Sequence, residues 1–110
     1  MYEIRNYYFE PSKLDEYREW ASALAVPYIR ERVDLVGFWI VDDEPPQIEG
    51  TPTDELGTAT VTWIIKWDDM DARAAGMKNV FASDEWSIIG AKNPGREYYH
   101  RIEVKFAEAV

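Results

Sequence analysis

Cysteine is absent from the 110 residues and histidine occurs once, at His100. The first absence excludes disulfides, thiolate nucleophiles and cysteine-type zinc sites, and the second excludes a multi-histidine metal cluster within one chain. Basic clusters are missing too. With 12 Lys and Arg against 21 Asp and Glu the net charge is -9, so neither nucleic acid nor an anionic membrane is an expected partner. No apolar run approaches the roughly 18 residues that span a bilayer. The opening Met1-Tyr2-Glu3-Ile4-Arg5 lacks the basic flank and apolar core of a signal peptide, and a cytoplasmic location is the expectation. There is no phosphate loop, no dinucleotide fingerprint and no nucleophile elbow. What the chain has instead is aromatic side chains, 15% of all residues, and where these fall organises the rest of the reading because they bury the most area. The length suits one domain, residues 1–110.

Residues 1 to 9 alternate Tyr2, Ile4, Asn6, Tyr8 against Glu3, Arg5, Tyr7, Phe9, a strand with neither face purely polar. Ser12 with Asp15 opens a helical pattern at Leu14, Tyr17, Ala21, Leu24, Ala25 and Tyr28; Pro27 inside it predicts a kink near Leu24 or a broken last turn. Residues 35 to 41 form an apolar second strand in which Gly37 permits a bulge or a close backbone approach. Residues 42 to 57 hold three prolines, two glycines and six acids without a base, which predicts a long loop. From Thr58 a third strand alternates Thr60, Thr62, Ile64 with Val61, Trp63, Ile65, Trp67. Asp68, Asp69 and Asp71 supply cap and first-turn acids for a helix carrying Met70, Ala74, Met77, Val80 and Phe81, and a short helix capped by Ser83 or Asp84 follows. After Asn93-Pro94-Gly95, residues 96 to 106 alternate Tyr98, His100, Ile102, Val104 with Tyr99, Arg101, Glu103, Lys105 as a fourth strand.

The order strand, helix, strand, strand, helix, strand predicts an α+β, ferredoxin-like βαββαβ fold, a four-stranded antiparallel sheet with both helices on one face. The alternation then puts Tyr7, Phe9, Tyr99 and part of the Val61, Trp63, Ile65, Trp67 set on the face away from the helices. Aromatic area of that size calls for a cover, and sheet-on-sheet pairing of two copies is the expected one.

Tyr2-Glu3-Ile4-Arg5-Asn6-Tyr7 followed by Pro11-Ser12-Lys13-Leu14-Asp15-Glu16-Tyr17, then Leu35-Val36-Gly37-Phe38-Trp39, then Trp67-Asp68-Asp69 with Arg73 and Asp84-Glu85-Trp86, resembles the NIPSNAP family of the dimeric α+β barrel superfamily over nearly the whole chain. The resemblance implies a homodimer in which two sheets enclose a barrel, with a pocket in each protomer. It also implies a third-strand position of interest. Where many relatives carry histidine there, this chain has Trp63, which leaves histidine chemistry in that strand without its residue, and the loop at 42–57 is longer than the family's hairpin.

Arg5, Tyr7, Tyr99 and Arg101 share a parity on the first and fourth strands, and two guanidiniums beside phenols suit a carboxylate or a phenolate. The competing reading pairs Arg5 and Arg101 with Glu3 and Glu103 in a charge ladder or with a partner chain. Trp39, Trp63 and Trp67 with Phe38 make an aromatic wall for a flat hydrophobic ligand, or equally a core or interface stripe. Trp20 and Trp86 read as helix packing or rim residues. His100 is the one side chain titrating near neutrality, a general base by type and a core residue by parity. The three acids at 68, 69 and 71 cap a helix and lack the pattern of a calcium loop. Neither metal nor cofactor is expected. The resulting expectation is a homodimer binding a small hydrophobic or aromatic compound. The superfamily implies cofactor-free monooxygenase, cyclase or isomerase activity, with Arg5 or Arg101 steadying an enolate or phenolate and a Tyr or His100 moving a proton. The alternative is a non-enzymatic, stress-associated or scaffold homodimer with a filled pocket.

Overall fold

The computed structural model describes all 110 residues. Four strands, β1 (Tyr2–Phe9), β2 (Asp34–Ile40), β3 (Val61–Lys66) and β4 (Tyr99–Ala107), form one antiparallel sheet in the order β2-β3-β1-β4. The chain links β1 to β2 through α1 (Leu14–Trp20) and α2 (Val26–Arg30), and β3 to β4 through α3 (Met70–Phe81) and α4 (Asp84–Gly90). This is the expected ferredoxin-like plan. No helix is long and apolar enough to cross a membrane.

Proline shapes the first helical layer. Pro27 has no N–H to give the Ala23 carbonyl, and its ring crowds that carbonyl. Between α1 and α2 the backbone therefore widens into a π-helical turn, Ala21–Ala25, closed by the Val26 N–H on the Ala21 carbonyl. The helix is re-registered there instead of ending. At its start Glu10, rather than Ser12, caps a short 3-10 turn by accepting from the Ser12 N–H. The second layer starts as the acids predict: Asp69 accepts from Ala72 N–H at 2.7 Å and Ser83 from Trp86 N–H at 3.0 Å.

The sheet faces divide differently from the sequence reading. Glu3, Tyr7 and Phe9 of β1, with Val61, Trp63, Ile65 and Trp67, are the buried set and lie beneath the helices. The away face carries Tyr2, Ile4, Asn6, Tyr8, Thr62 and Ile64. The aromatic stripe expected to face a second sheet is therefore the core of the protomer. Twelve helical residues in α3 and the bent α1–α2 layer are wide enough to cover it.

The fourth strand contains a parity break. Tyr8 pairs with Arg101 and Phe9 with Tyr99, so His100 is an extra residue in a bulge. One extra residue turns all that follows to the opposite face. Tyr99 stays under the helices with Phe9, whereas Arg101, Glu103 and Lys105 go to the open face. Residues 96 to 98 form a 3-10 turn, so β4 begins three residues later than the alternation suggests. A second irregularity lies between Leu35 and Gly37 of β2, where the Trp39 ring lies over Gly37; a Cβ there would collide with that ring.

Candidate functional site

The helix-facing side of β1 and β3 places Arg5, Tyr7 and Trp63 together, and β4 adds Tyr99. Their rings meet edge to face: Tyr7 lies 6.4 Å from Trp63 and 5.5 Å from Tyr99, and Tyr99 lies 6.2 Å from Tyr17 of α1. Phe38 of β2 stacks on Trp63 at 5.5 Å. Trp39, also expected in the aromatic wall, is on the other face and 51% exposed. So are the groups around Arg101, whose guanidinium bonds Asp54 of the long loop at 2.8 Å and lies over the Tyr8 ring. His100 sits exposed at the bulge, its Nε2 3.2 Å from Glu10. The structure thus gathers Arg5, Tyr7, Trp63 and Tyr99 and separates Trp39, His100 and Arg101 from them. The bulge is the reason for the last two.

Beneath this cluster lies a charge network in which the expected Arg5–Glu3 pair is joined by Arg73 of α3. Glu3 is wholly buried. Its carboxylate accepts from Arg5 Nη1 at 2.6 Å, from Arg73 Nε of α3 at 2.6 Å and from Trp67 Nε1 at 3.0 Å. Burial alone pushes the Glu3 carboxyl up, but the bonds from Arg73, Arg5 and Trp67 outweigh it and hold it below the usual carboxylate range. Two guanidiniums around one carboxylate leave the cluster with one excess positive charge. Arg5 stands at the site end of it: Nε donates to the Tyr7 hydroxyl at 2.9 Å, and the guanidinium lies 5.1 Å over the Trp63 ring. A signal for Glu3 was present, since a carboxylate shares parity with Tyr7 and Phe9. A lone acid on an apolar strand face requires a buried cation.

Two spaces that share part of their lining adjoin the cluster. An outer groove of about 650 Å³ runs between the α4 side and the sheet, lined by Tyr7, Trp20, Trp86, Asn93, Arg96 and Tyr99 among others. An inner cavity of about 60 Å³ is lined by ten hydrophobic residues, including Trp63, Tyr17, Phe38 and Ala25 of the π turn. Tyr7, Trp20, Trp86 and Tyr99 line both. The groove has the volume of a small-molecule site, and Ala25 of the π turn lies in the wall of the inner cavity.

The phenols in the wall are strongly conditioned. Burial pushes the Tyr17 hydroxyl far above its ordinary range, with the Tyr99 and Tyr7 hydroxyls adding to it. Burial also raises Tyr99, against the opposing bond from Asn93. Both stay protonated, so neither is a base at neutral pH. Trp63 Nε1 is buried and has no hydrogen-bond partner, the one buried side-chain nitrogen or oxygen of the molecule in that state. Trp20 Nε1, by contrast, donates to the Ile89 carbonyl at 2.8 Å and so ties α1 to α4 across the groove floor.

The NIPSNAP family model matches residues 2–101. Among solved structures, the chain is similar to an uncharacterised NIPSNAP domain protein from Burkholderia xenovorans, with 21% identity over 99% of this chain and 93% of that one and a TM-score of 0.74. It is also similar to a NIPSNAP family protein of unknown function from Agrobacterium tumefaciens, with 20% identity over 94% and 82% of the two chains and a TM-score of 0.70. An ethyl tert-butyl ether (EthD) family protein from Bacillus halodurans aligns over 100% and 99% of the two chains at 15% identity and a TM-score of 0.52. At these identities the structural likenesses bear on the fold alone. Comparison with functionally curated proteins finds no match.

Proposed function

We propose, from the premise that this chain belongs to the NIPSNAP family, that the protein binds a small hydrophobic or aromatic compound in the groove between its sheet and its helices. The observation that carries this reading is the groove of about 650 Å³ walled by four aromatic side chains, one of which, Tyr7, is bonded to Arg5 of the buried charge network. A flat ligand between Tyr7, Trp20, Trp86 and Tyr99 gains aromatic contact on each side. In a cofactor-free monooxygenase, cyclase or isomerase reaction here, Arg5 would steady developing negative charge. The Tyr7 hydroxyl, bonded to Arg5, would be the nearest proton carrier. The sheet's open face, with Ile4, Ile64 and Trp39, is where we place a homodimer contact between two copies.

Gly90 offers the test. It lines the groove, and a Cβ there meets only Trp86 Nε1, at 4.0 Å. Gly90→Leu therefore fills the groove without displacing the core and ends α4 with a better helix former. A panel of one- and two-ring aromatic compounds followed by melting temperature should give, for at least one compound, a rise that grows with the logarithm of its concentration, a stabilisation of about 2.7 kcal/mol at a hundred times its Kd, and Gly90→Leu should abolish that rise. No rise with any compound would contradict the reading.

One observation favours a second reading. The inner cavity, about 60 Å³, is well below the roughly 150 Å³ that holds a benzene ring. A non-enzymatic, stress-associated or scaffold homodimer whose interior is filled by its own side chains fits that volume. It predicts that no compound of the panel raises the melting temperature of either native protein or Gly90→Leu.

A further inference from the structure

We infer that the preferred ligand of the outer groove is an aromatic carboxylic acid, its ring between the aromatic walls and its carboxylate on the Arg96 guanidinium at the exposed rim. This rests on the groove being a binding site, and it names the class of compound the site takes.

Charge is unevenly spread around the groove. In a chain with 21 acids against 12 bases, no acid lines this groove and Arg96 is its one ionic side chain. Arg96 is also uncommitted. Five of the seven arginines pair with a carboxylate, whereas Arg30 and Arg96 pair with none, and only Arg96 of these two lines the groove. Its neighbour Glu97 lays its carboxylate beside Gly95 instead. A carboxylate entering here therefore meets one cation and no anion in the wall.

The backbone holds Arg96 in that place. Asn93 Oδ1 accepts from the Gly95 N–H at 2.9 Å, and Nδ2 of the same amide donates to the Tyr99 hydroxyl at 2.8 Å, which fastens the turn to the groove wall. Gly95 has a φ of 151°, a conformation that a side chain would strain, and the 3-10 turn carrying Arg96 starts from it. The charge of Arg96 also reaches the wall. Burial raises the Tyr99 hydroxyl, and the guanidinium is among the groups that oppose the rise. Tyr7, Trp20, Tyr99 and Ile102 thus present aromatic and apolar surface, with a fixed cation at one exposed edge. A compound with a ring at one end and a negative charge at the other matches both.

The acid group can be narrowed. One guanidinium offers a carboxylate two parallel hydrogen bonds. A phosphate monoester carries close to two charges at neutral pH, and no second cation lines the groove. The ten residues around the inner cavity are all hydrophobic, so a charge placed there would lose its water without a partner. The carboxylate therefore stays at the rim and the ring points inward.

The test compares 1-naphthoate with 1-naphthamide, near-isosteres that differ in charge, by equilibrium dialysis at neutral pH and about 0.1 M salt. Native protein should bind 1-naphthoate about fivefold more tightly, the upper range for a solvent-exposed ion pair. Arg96→Gln should bring the two compounds within about twofold by weakening 1-naphthoate alone, and Arg96→Lys should keep part of the preference, since the charge survives without the planar fork. Arg96 has no ion pair within the protein to lose, so both variants should keep the native melting temperature. Gly90→Leu should abolish binding of both compounds. Equal binding of the two by native protein, or a preference that survives in Arg96→Gln, overturns the inference while leaving the groove as a site. Failure of both compounds to bind, or binding unchanged in Gly90→Leu, overturns the inference together with the reading of the groove.

Discussion

The two faces of this one sheet are made from the same strands, yet they differ in almost every property. Under the helices lie Glu3, Tyr7, Phe9, Val61, Trp63, Ile65 and Trp67, all buried, with a carboxylate held by two guanidiniums. The open face alternates apolar Ile4 and Ile64 with short polar pairs such as Thr62 to Asn6 at 2.7 Å and Tyr8 to Glu103 at 3.0 Å. Of its aromatics, Trp39 is half exposed, with its ring over Gly37. The difference teaches where energy and chemistry reside in this fold: the buried face contains interactions that cannot be removed singly without leaving a void or a charge, whereas each open-face contact has water as a substitute.

Substitutions can break that comparison, and the largest effect belongs to the buried face. Phe9 is 1% exposed and packs on Tyr17 at 4.6 Å and Tyr99 at 4.8 Å. Phe9→Ala should lower the free energy of unfolding by about 4 kcal/mol in a denaturant titration. Glu3→Gln comes next, at about 3 kcal/mol, the low end for a broken buried pair because Arg73 partly reaches solvent. Glu3 also predicts a pH dependence. Its folded pKa lies below the ordinary value of 4.5, so its contribution is present above that value and is lost as pH falls through the folded one. Native protein should therefore lose stability on acidification below about pH 4.5 more steeply than Glu3→Gln.

The open face should respond weakly as a fold and strongly as an interface. Trp39→Ala should cost about 1 kcal/mol or less in unfolding, since half the side chain is already in water. In sedimentation the same change should weaken self-association about tenfold, as loss of one central interface aromatic does. The smallest effect is Arg101→Ala. Its bond to Asp54 is solvent-exposed, so the melting temperature should not move measurably, while proteolytic cleavage within residues 42–57 should become faster.

The order of elements was legible because hydrophobic period and capping residues speak locally: Asp69 and Ser83 stand where their side chains close helix starts, and Pro27 marks the disturbed helix. Which face of the sheet the helices cover was not. Both parities of β1 and β3 carry aromatics or branched residues, and alternation alone cannot say which set is inside. Glu3 could have decided it, because a buried carboxylate on the Tyr7 and Phe9 side needs a cation from the helical layer, and Arg73 is that cation. The grouping of Arg5, Tyr7, Trp63 and Tyr99 was accessible from parity. The exclusion of Arg101 was not, since the bulge at His100 is set by the pairing of Tyr99 with Phe9 and has no residue signature of its own.

The central claim is that ligands enter the helix-facing groove and not the open sheet face, and the tryptophans report on both. Proton-nitrogen spectra of the five indole N–H groups, recorded while 1-naphthol is added, give the most direct test. The account predicts saturable shifts at Trp20, Trp63 and Trp86, which line the groove and its inner cavity, with Trp39 unmoved. A saturable shift at Trp39 with the other three unmoved would contradict it.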